Sequence, residues 1–312
     1  MVINEAGMKL QNVRKKMTGE KKRQTIFLFC MLILPVANWL VFWLYVNLSS
    51  IALAFQDART GAFTWNNFIW FWESLTSPHG DIGIAVENTF KYFGTSLFII
   101  MPLALLIIYF LYKQIAGYKM FRVIFYLPAI VSGVAMVAVY VNFINPNGPL
   151  NEFLNLFGKE IPPEGYLARP DTATNTIIIY TIWTGFCTNI LLFCGAMVRV
   201  PIEVLESAAL EGCGPFRELI QIILPMIWPT VSTQIIFLFT GIFSASGPIL
   251  LFGTQGEYET TTIAFWIFIE VYSGKESAYN LVSASGLVFT VVGVPIILFI
   301  RWLMEKIPSV EY

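Results

Sequence analysis

Charge is scarce in this chain: Asp, Glu, Lys and Arg make up 12% of its 312 residues, and the net charge is −1. There is no basic surface of the kind nucleic-acid binding requires. Histidine occurs once, as His79 in a Ser-Pro-His-Gly-Asp stretch read as a solvated turn, so no His-based triad can be built. The four cysteines, Cys30, Cys187, Cys194 and Cys213, never adopt a C-x-x-C spacing and fall in apolar segments or beside Gly212. They read as small hydrophobes, which argues against a zinc site or a disulfide framework. No G-x-x-x-x-G-K-[ST] sequence occurs, so nucleotide phosphates are not held in the P-loop manner. Acidic side chains are missing from the long apolar runs except near their ends, and no paired-carboxylate or nucleophile arrangement is visible. The expectation is a chain without catalytic residues, cofactor or metal.

What is abundant is apolar: 56% of the residues are hydrophobic and the mean hydropathy is +0.68, far outside the range of soluble domains. Six stretches are long enough to cross a bilayer: about 25–48, 89–112, 123–144, 174–198, 230–252 and 281–303. The first, with Pro35 near its middle as a tolerated kink, is longer than a signal-peptide core and lacks a small-residue cleavage site. The fold class is therefore all-α, a membrane protein with six transmembrane helices. The segments 1–24, 113–122, 199–229 and 301–312 fall on one side and carry fourteen basic residues. Four others, Arg59, Lys159, Arg169 and Lys275, fall on the opposite side. The positive-inside rule then places both termini and the 199–229 loop in the cytoplasm of a multi-pass protein of the cell membrane.

Outside, residues 50–88 hold Trp65, Phe68, Trp70, Phe71 and Trp72, an interfacial belt or a docking surface. Residues 145–173 carry the turn signals Asn145-Pro-Asn-Gly148 and Pro162-Pro163. The apolar piece 262–271 is too short to span and is expected on the outer surface.

The loop from Pro201 to Pro229 is the one amphipathic, charged stretch between two apolar runs. Pro201 suits a first helical position, and Glu203 and Glu206 suit the first turns, where the helix dipole favours anions. Gly212 and Gly214 allow the helix to stop, Pro215 opens a second helix with Phe216, Leu219, Ile220 and Ile223 at helical spacing, and Pro225 and Pro229 mark the start of the next apolar run.

Glu206, Ser207, Ala208, Glu211, Gly212 and, nine residues on, Ile222, Leu224 and Pro225 resemble the EAA loop of permease subunits of binding-protein-dependent ABC importers of the type I fold. Ser207 stands for the first Ala of that pattern and Glu211 for its Asp. The resemblance implies that 201–211 is a coupling helix docking on a separate ATPase, with Glu206 in a polar contact at its base and Leu205, Ala208 and Ala209 filling the partner's cleft. It covers 85–303 as the permease core, with the EAA loop at 201–225 between the fourth and fifth spans. Residues 25–84, the extra first helix and outer loop, together with Asn88-Thr89 and Trp183, resemble the carbohydrate branch; 1–24 and 304–312 are the cytoplasmic tails. The outer turn Gly253-Thr-Gln-Gly256 departs from the Gly-Gly-Pro of many relatives. Implied partners are a second permease, giving a heterodimer, two ABC ATPase subunits, an extracellular or periplasmic solute-binding protein and the lipid bilayer.

Polar groups inside apolar spans are costly and so mark either a solute path or interhelical contacts. Thr181, Thr184 and Thr188 share a face of the fourth span with Asn189 beside them; Thr233, Thr240 and Ser244 share a face of the fifth, next to Gln234. With Tyr140 and Trp183 as flat surfaces with polar tips, these hydroxyls and amides suit a neutral, polyhydroxylated solute better than an anion, which would call for a basic partner. The expected cargo is a sugar or oligosaccharide. A polyol phosphate such as glycerol phosphate is the alternative within the family. An ion-coupled secondary transporter is the alternative outside it, although no ionisable residue lies deep in a span.

Overall fold

A computed structural model of the chain describes residues 2–77, 80–159, 161–244, 246–253, 258–274 and 276–307, with side chains throughout except at 2–20, Thr188 and Glu276. His79, Lys275, the 254–256 part of the outer turn and the tail beyond 307 lie outside the described residues.

The first span is one continuous helical run. Helix α1 (Val2–Trp39) passes through Pro35 and a wider π turn at Leu40–Tyr45 into α2 (Val46–Ala54). The expected tail 1–24 thus joins the same helix, and the span reaches Ala54, six residues beyond expectation. Its membrane segment, Lys21–Ala54, is strongly apolar beyond its basic first residues, and its most hydrophobic window buries nothing against protein. Lipid is the solvent for such a surface. Two amides close its far end: Asn67 donates to the carbonyls of Ala54 and Gln56 (both 3.0 Å), and Asn280 to those of Leu53 (3.0 Å) and Gln56 (2.8 Å). Both bind carbonyls at and just past the helix terminus, where intrahelical partners run out.

After the short α3 (Asn66–Thr76), the second span comprises α4 (Asp81–Thr95), a π turn at Ser96–Ile100 and α5 (Met101–Tyr112), starting eight residues earlier than expected. The π turn has a local cause. Pro102 donates no backbone hydrogen bond and its ring crowds the carbonyl four residues back, that of Phe98, which sits inside the widened turn. The same relation recurs at Leu219–Ile223, which contains Gln221, four residues before Pro225.

The third span is not the single helix expected over 123–144. Helix α6 (Tyr118–Ile130) and α7 (Gly133–Ile144) are separated at Val131–Ser132, and between Tyr118–Ile130 and the arm Gly133–Asn155 the chain bends by 108°. Pro128 weakens the end of α6, Val131 is extended, and the Ser132 carbonyl accepts from Met136 N–H to start a new helix. Helix α8 (Pro149–Asn155) leads to α9 (Pro170–Met197), the unbroken fourth span. The 201–229 loop folds as α10 (Ile202–Leu210), α11 (Pro215–Glu218), the π turn at Leu219–Ile223 and α12 (Leu224–Met226). Helix α13 (Trp228–Gly241) ends eleven residues short of the expected 252, because Gly241, Gly247 (φ 61°) and Pro248 favour turns. Helix α14 (Ile263–Tyr272) is short and apolar, as expected, and α15 (Glu276–Glu305) is the last span.

Among the described residues the chain is thus almost wholly helical, with one isolated β-bridge, Gln56–Phe63. Four stretches are long and apolar enough to cross a membrane, and there are six candidate spans if each bent pair, α6 with α7 and α11–α12 with α13, counts as one.

The largest buried cluster joins the second and fourth spans to the 201–229 loop: Ile100, Ile108 and Tyr109 meet Ile190, Phe193 and Met197, and Leu205, Ile223 and Met226 close it from the loop. Gly185 permits this approach, since a Cβ there would lie 2.9 Å from Ile100 Cδ1. At the opposite end a second cluster packs Phe71, Ile82, Ile263, Trp266 and Phe289.

Candidate functional site

Helix α10 is closed at both ends by backbone chemistry that its sequence specifies. Pro201 is the residue before the helix (ψ 134°) and not its first member, so the expected start moves one residue on to Ile202. At the other end Gly212 has φ +74°. Its N–H donates to the Ala209 carbonyl (3.1 Å) and Cys213 N–H reaches back to that of Ala208 (3.0 Å). This pair of bonds is a Schellman cap, which needs a left-handed residue at the Gly212 position. Gly214 then precedes Pro215, the first residue of α11.

The faces of α10 differ from expectation. Leu205 and Ala208 are 6% and 7% exposed, and Leu205 belongs to the chain's own main core. They are therefore unavailable to fill a partner's cleft. The outward face consists of Ile202, Glu206, Ala209 and Leu210, at spacings of four, seven and eight, with Leu210 90% exposed. Phe216 and Ile220 extend the apolar surface onto the next helix. Glu206 is exposed, and among the described residues no hydrogen bond or ion pair holds its carboxylate. Ser207 donates to the Glu203 carbonyl (2.8 Å), Glu211 sits exposed at the helix end, and Leu224 and Pro225 lie half-buried at the base of the second leg.

A feature that sequence reasoning missed lies beneath this surface. Glu218, the last residue of α11, is 3% exposed, and Lys113 Nζ from the end of α5 stands 2.7 Å from its Oε1. The buried Tyr109 hydroxyl, one turn before Lys113, lies near the same carboxylate without a hydrogen-bond partner among the described residues. In sequence Lys113 was one of several loop cations and Glu218 one charge on an amphipathic helix, so no local pattern paired them.

The residues proposed to line a path fall into separate places. Tyr140 is 8% exposed and its hydroxyl donates to the Thr176 carbonyl (2.9 Å). Its ring clusters with Tyr180, Trp183 and Phe252 at 5.2, 6.4 and 6.1 Å, so Tyr140 fixes α7 to α9, and only Trp183 of the pair presents an open edge, at 38% exposure. Thr181, Thr184 and Asn189 each donate to the carbonyl four residues back, at 2.9, 3.0 and 3.3 Å. Thr233 and Thr240 do the same, each at its own carbonyl, at 2.7 and 2.8 Å. Such bonds satisfy the hydroxyl hydrogen inside one helix and leave oxygen lone pairs free to accept. Thr188 lies outside the described side chains.

Ser244 falls beyond the end of α13, where it donates to Gly241 O (3.2 Å), so it no longer continues the helical face of Thr240. Both nevertheless line one cleft of about 300 Å³ between α13 and α15, with Phe243, Phe289 and Thr290. Gln234 lines another, about 230 Å³, against Thr89, Tyr92 and Ser96 of α4 and its continuation. Neither cleft has a charged residue in its lining.

The outer aromatic stretch divides. Trp70 stacks on Trp266 (6.2 Å) and Phe71 packs edge-on to Phe289 (5.5 Å), both in the core, whereas Phe63, Trp65 and Trp72 are more than half exposed. Asn88 and Thr89 hold the backbone that leads into α14. Asn88 donates to the carbonyls of Glu259 (2.6 Å) and Thr261 (3.0 Å), and Thr89 Oγ1 accepts from Ile263 N–H (3.0 Å). Thr174 of α9 donates to the same Glu259 carbonyl (3.2 Å). Tyr258 and Glu259 have φ of 55° and 56°, a conformation that non-glycine residues adopt only when held.

Spans packed around uncharged clefts, joined by an exposed helical hairpin, define a membrane component of a transport system. Residues 116–308 match the family of binding-protein-dependent transport system inner membrane components, and the chain belongs to that family. It is accordingly a multi-pass protein of the inner membrane, a transport component and not an enzyme.

Among its relatives is the sn-glycerol-3-phosphate transport system permease protein UgpA of Shigella flexneri, 24% identical over 196 residues, or 62% of this chain and 65% of that protein. The match thus spans less than two thirds of that relative's length. A probable ABC transporter permease protein of Mycoplasma genitalium is 30% identical over 241 residues, covering 72% and 70% of the two chains. The fold is shared with a chain of a bacterial alginate ABC transporter solved in complex with an alginate pentasaccharide-bound periplasmic protein. The TM-score is 0.77 at 22% identity, over 94% of this chain and 99% of that one.

Proposed function

We propose that this chain is the permease subunit of an ATP-driven importer for a sugar or oligosaccharide, and that α10 is the helix through which a separate ATPase acts on it. The observation that carries the reading is the outward face of α10. Ile202, Ala209 and Leu210 form an exposed apolar patch around the unpaired carboxylate of Glu206, on a helix rigidly capped at Gly212 and rooted through Leu205 in the main core. An apolar patch with one unpartnered charge fits a docking surface, because the charge gains a partner when the patch is covered. The core would comprise 85–303 with five spans, a sixth being the first helix before it, and both termini and the α10 loop would lie in the cytoplasm, as the basic-residue bias supports. A second permease would complete the path, two ATPase subunits would supply the energy, and a solute-binding protein would deliver cargo at the opposite face.

Neutral cargo is supported by the two clefts beside α13, whose polar groups are hydroxyls, a glutamine and serines with free lone pairs and no cation. A polyol phosphate is the second reading, favoured by the names of the glycerol-phosphate relatives. The test co-expresses the chain with the permease, ATPase and binding-protein genes beside it and measures uptake of neutral oligosaccharides, acidic oligosaccharides and glycerol phosphate. ATP-dependent uptake of neutral sugar is the expected result. Uptake confined to the phosphate ester would establish the second reading, and uptake without the ATPase would reject both.

A further inference from the structure

The pair between Lys113 and the buried Glu218 has no part in docking or in the clefts, yet it joins the two elements that any coupling must join. Lys113 caps the C-terminal end of α5, its own N–H bound to the Tyr109 carbonyl (2.9 Å), and Glu218 stands in the first turn of the second leg of the loop. Each charge therefore also sits at the helix end that favours its sign. The Glu218 side chain is only 4% exposed, that of Lys113 35%. Around them Phe110 meets Phe216 edge-on at 6.5 Å, and Leu219 and Ile223 pack into the main core.

Apolar packing alone would already hold the loop to the second span. A buried ion pair adds little net stability over apolar residues of the same shape, but it permits one register, because a shift strands a charge in a water-poor site. What the pair supplies is position.

We propose that Lys113 is a positioning residue for energy coupling: its pair with Glu218 locks the second leg of the α10 hairpin to the end of α5, so that displacement of α10 moves the second span and is not absorbed at the Gly212 turn. The proposal rests on the reading of α10 as the ATPase-docking helix, and its test separates the two. The complete permease–ATPase complex is reconstituted in lipid with native cysteines replaced by alanine and a nitroxide at Phe98→Cys, a residue of the second span that is 74% exposed. The readout is the change in the label's spectrum on adding Mg-ATP, alongside co-purification of the ATPase.

In the otherwise native chain ATP alters the spectrum. Lys113→Met and Glu218→Gln are expected to retain the ATPase while the ATP-induced change falls about tenfold, the effect of losing roughly 1.4 kcal/mol of coupling. Lys113→Arg, which keeps the charge, should restore most of it. The double variant Lys113→Met/Glu218→Met leaves no buried charge, so it assembles even where a single variant does not, and it should remain uncoupled. A full ATP response in the double variant would overturn the proposal, since the pair would then serve only to satisfy burial. A full response in both single variants would do the same. Leu210→Glu reports on the docking reading separately: loss of ATPase co-purification is expected, and its retention would reject that reading whatever Lys113 does.

Discussion

Replacing Gly212 tests whether the hairpin turn must be left-handed, and the structure narrows the reason for expecting an effect to the backbone. The sequence suggested a position of positive φ at which side-chain bulk would tilt or melt the helix. A Cβ built at Gly212 instead meets no atom within 4 Å, so space is not the obstacle. The obstacle is φ +74°, which costs a residue bearing a Cβ about 1–2 kcal/mol, least for Asn and most for a β-branched side chain. That energy is a large part of the cap's own worth, because the two bonds from Gly212 and Cys213 to the Ala209 and Ala208 carbonyls exist only in this conformation. A loss of 1–2 kcal/mol lowers the ratio of ordered to disordered turn by roughly 5- to 30-fold. If the ATPase docks on the ordered helix, its apparent affinity falls by up to the same factor.

The series Gly212→Asn, Gly212→Ala and Gly212→Val should therefore rank in that order of increasing damage. ATPase co-purification and binding-protein-stimulated ATP hydrolysis in reconstituted membranes are the two measurements. Equal, wild-type behaviour of all three would refute the backbone argument, and a Val variant impaired while Ala is normal would return the effect to bulk.

Three further outcomes are expected. Asn88→Ala removes two donors from the Glu259 and Thr261 carbonyls, so hydrogen exchange across 258–263 should accelerate by the equivalent of about 1–3 kcal/mol; unchanged protection would show that Thr89 and Thr174 suffice. Asn189→Leu should impair uptake in a complex that still assembles, whereas normal uptake would assign Asn189 to packing, since its amide already bonds the Gly185 carbonyl. Asp57 accepts from the N–H groups of Thr60 and Arg59 and from the Thr60 hydroxyl, and these bonds, that of Thr60 N–H foremost, hold its carboxyl below the usual carboxylate range. Its contribution is present above the pKa of the unfolded chain and lost as pH falls through the lower folded value. Proteolysis of the 57–62 turn should consequently be flat from pH 5 to 8 and rise only in stronger acid; a rise near neutrality would contradict this.

Much of the architecture was legible one segment at a time. Runs of apolar residues announced the spans, because a chain in lipid must satisfy its backbone within each helix and so writes membrane passage as local composition. Gly212, Gly214 and Pro215 announced the hairpin, since positive φ and a missing N–H are properties of single residues. Only the tertiary structure decided which way each side chain faced. Periodicity gave α10 an apolar stripe but not its partner, and Leu205 and Ala208 turned inward while Leu210 turned out. The break at Val131–Ser132 and the early end of α13 depend on how turn-prone residues balance against the packing of whole spans, which composition averages away. Lys113 and Glu218, more than a hundred residues apart, carry no mark of each other in sequence: an ion pair is a relation between two positions, and only the packing of α5 against α11 brings those positions to 2.7 Å and buries the carboxylate.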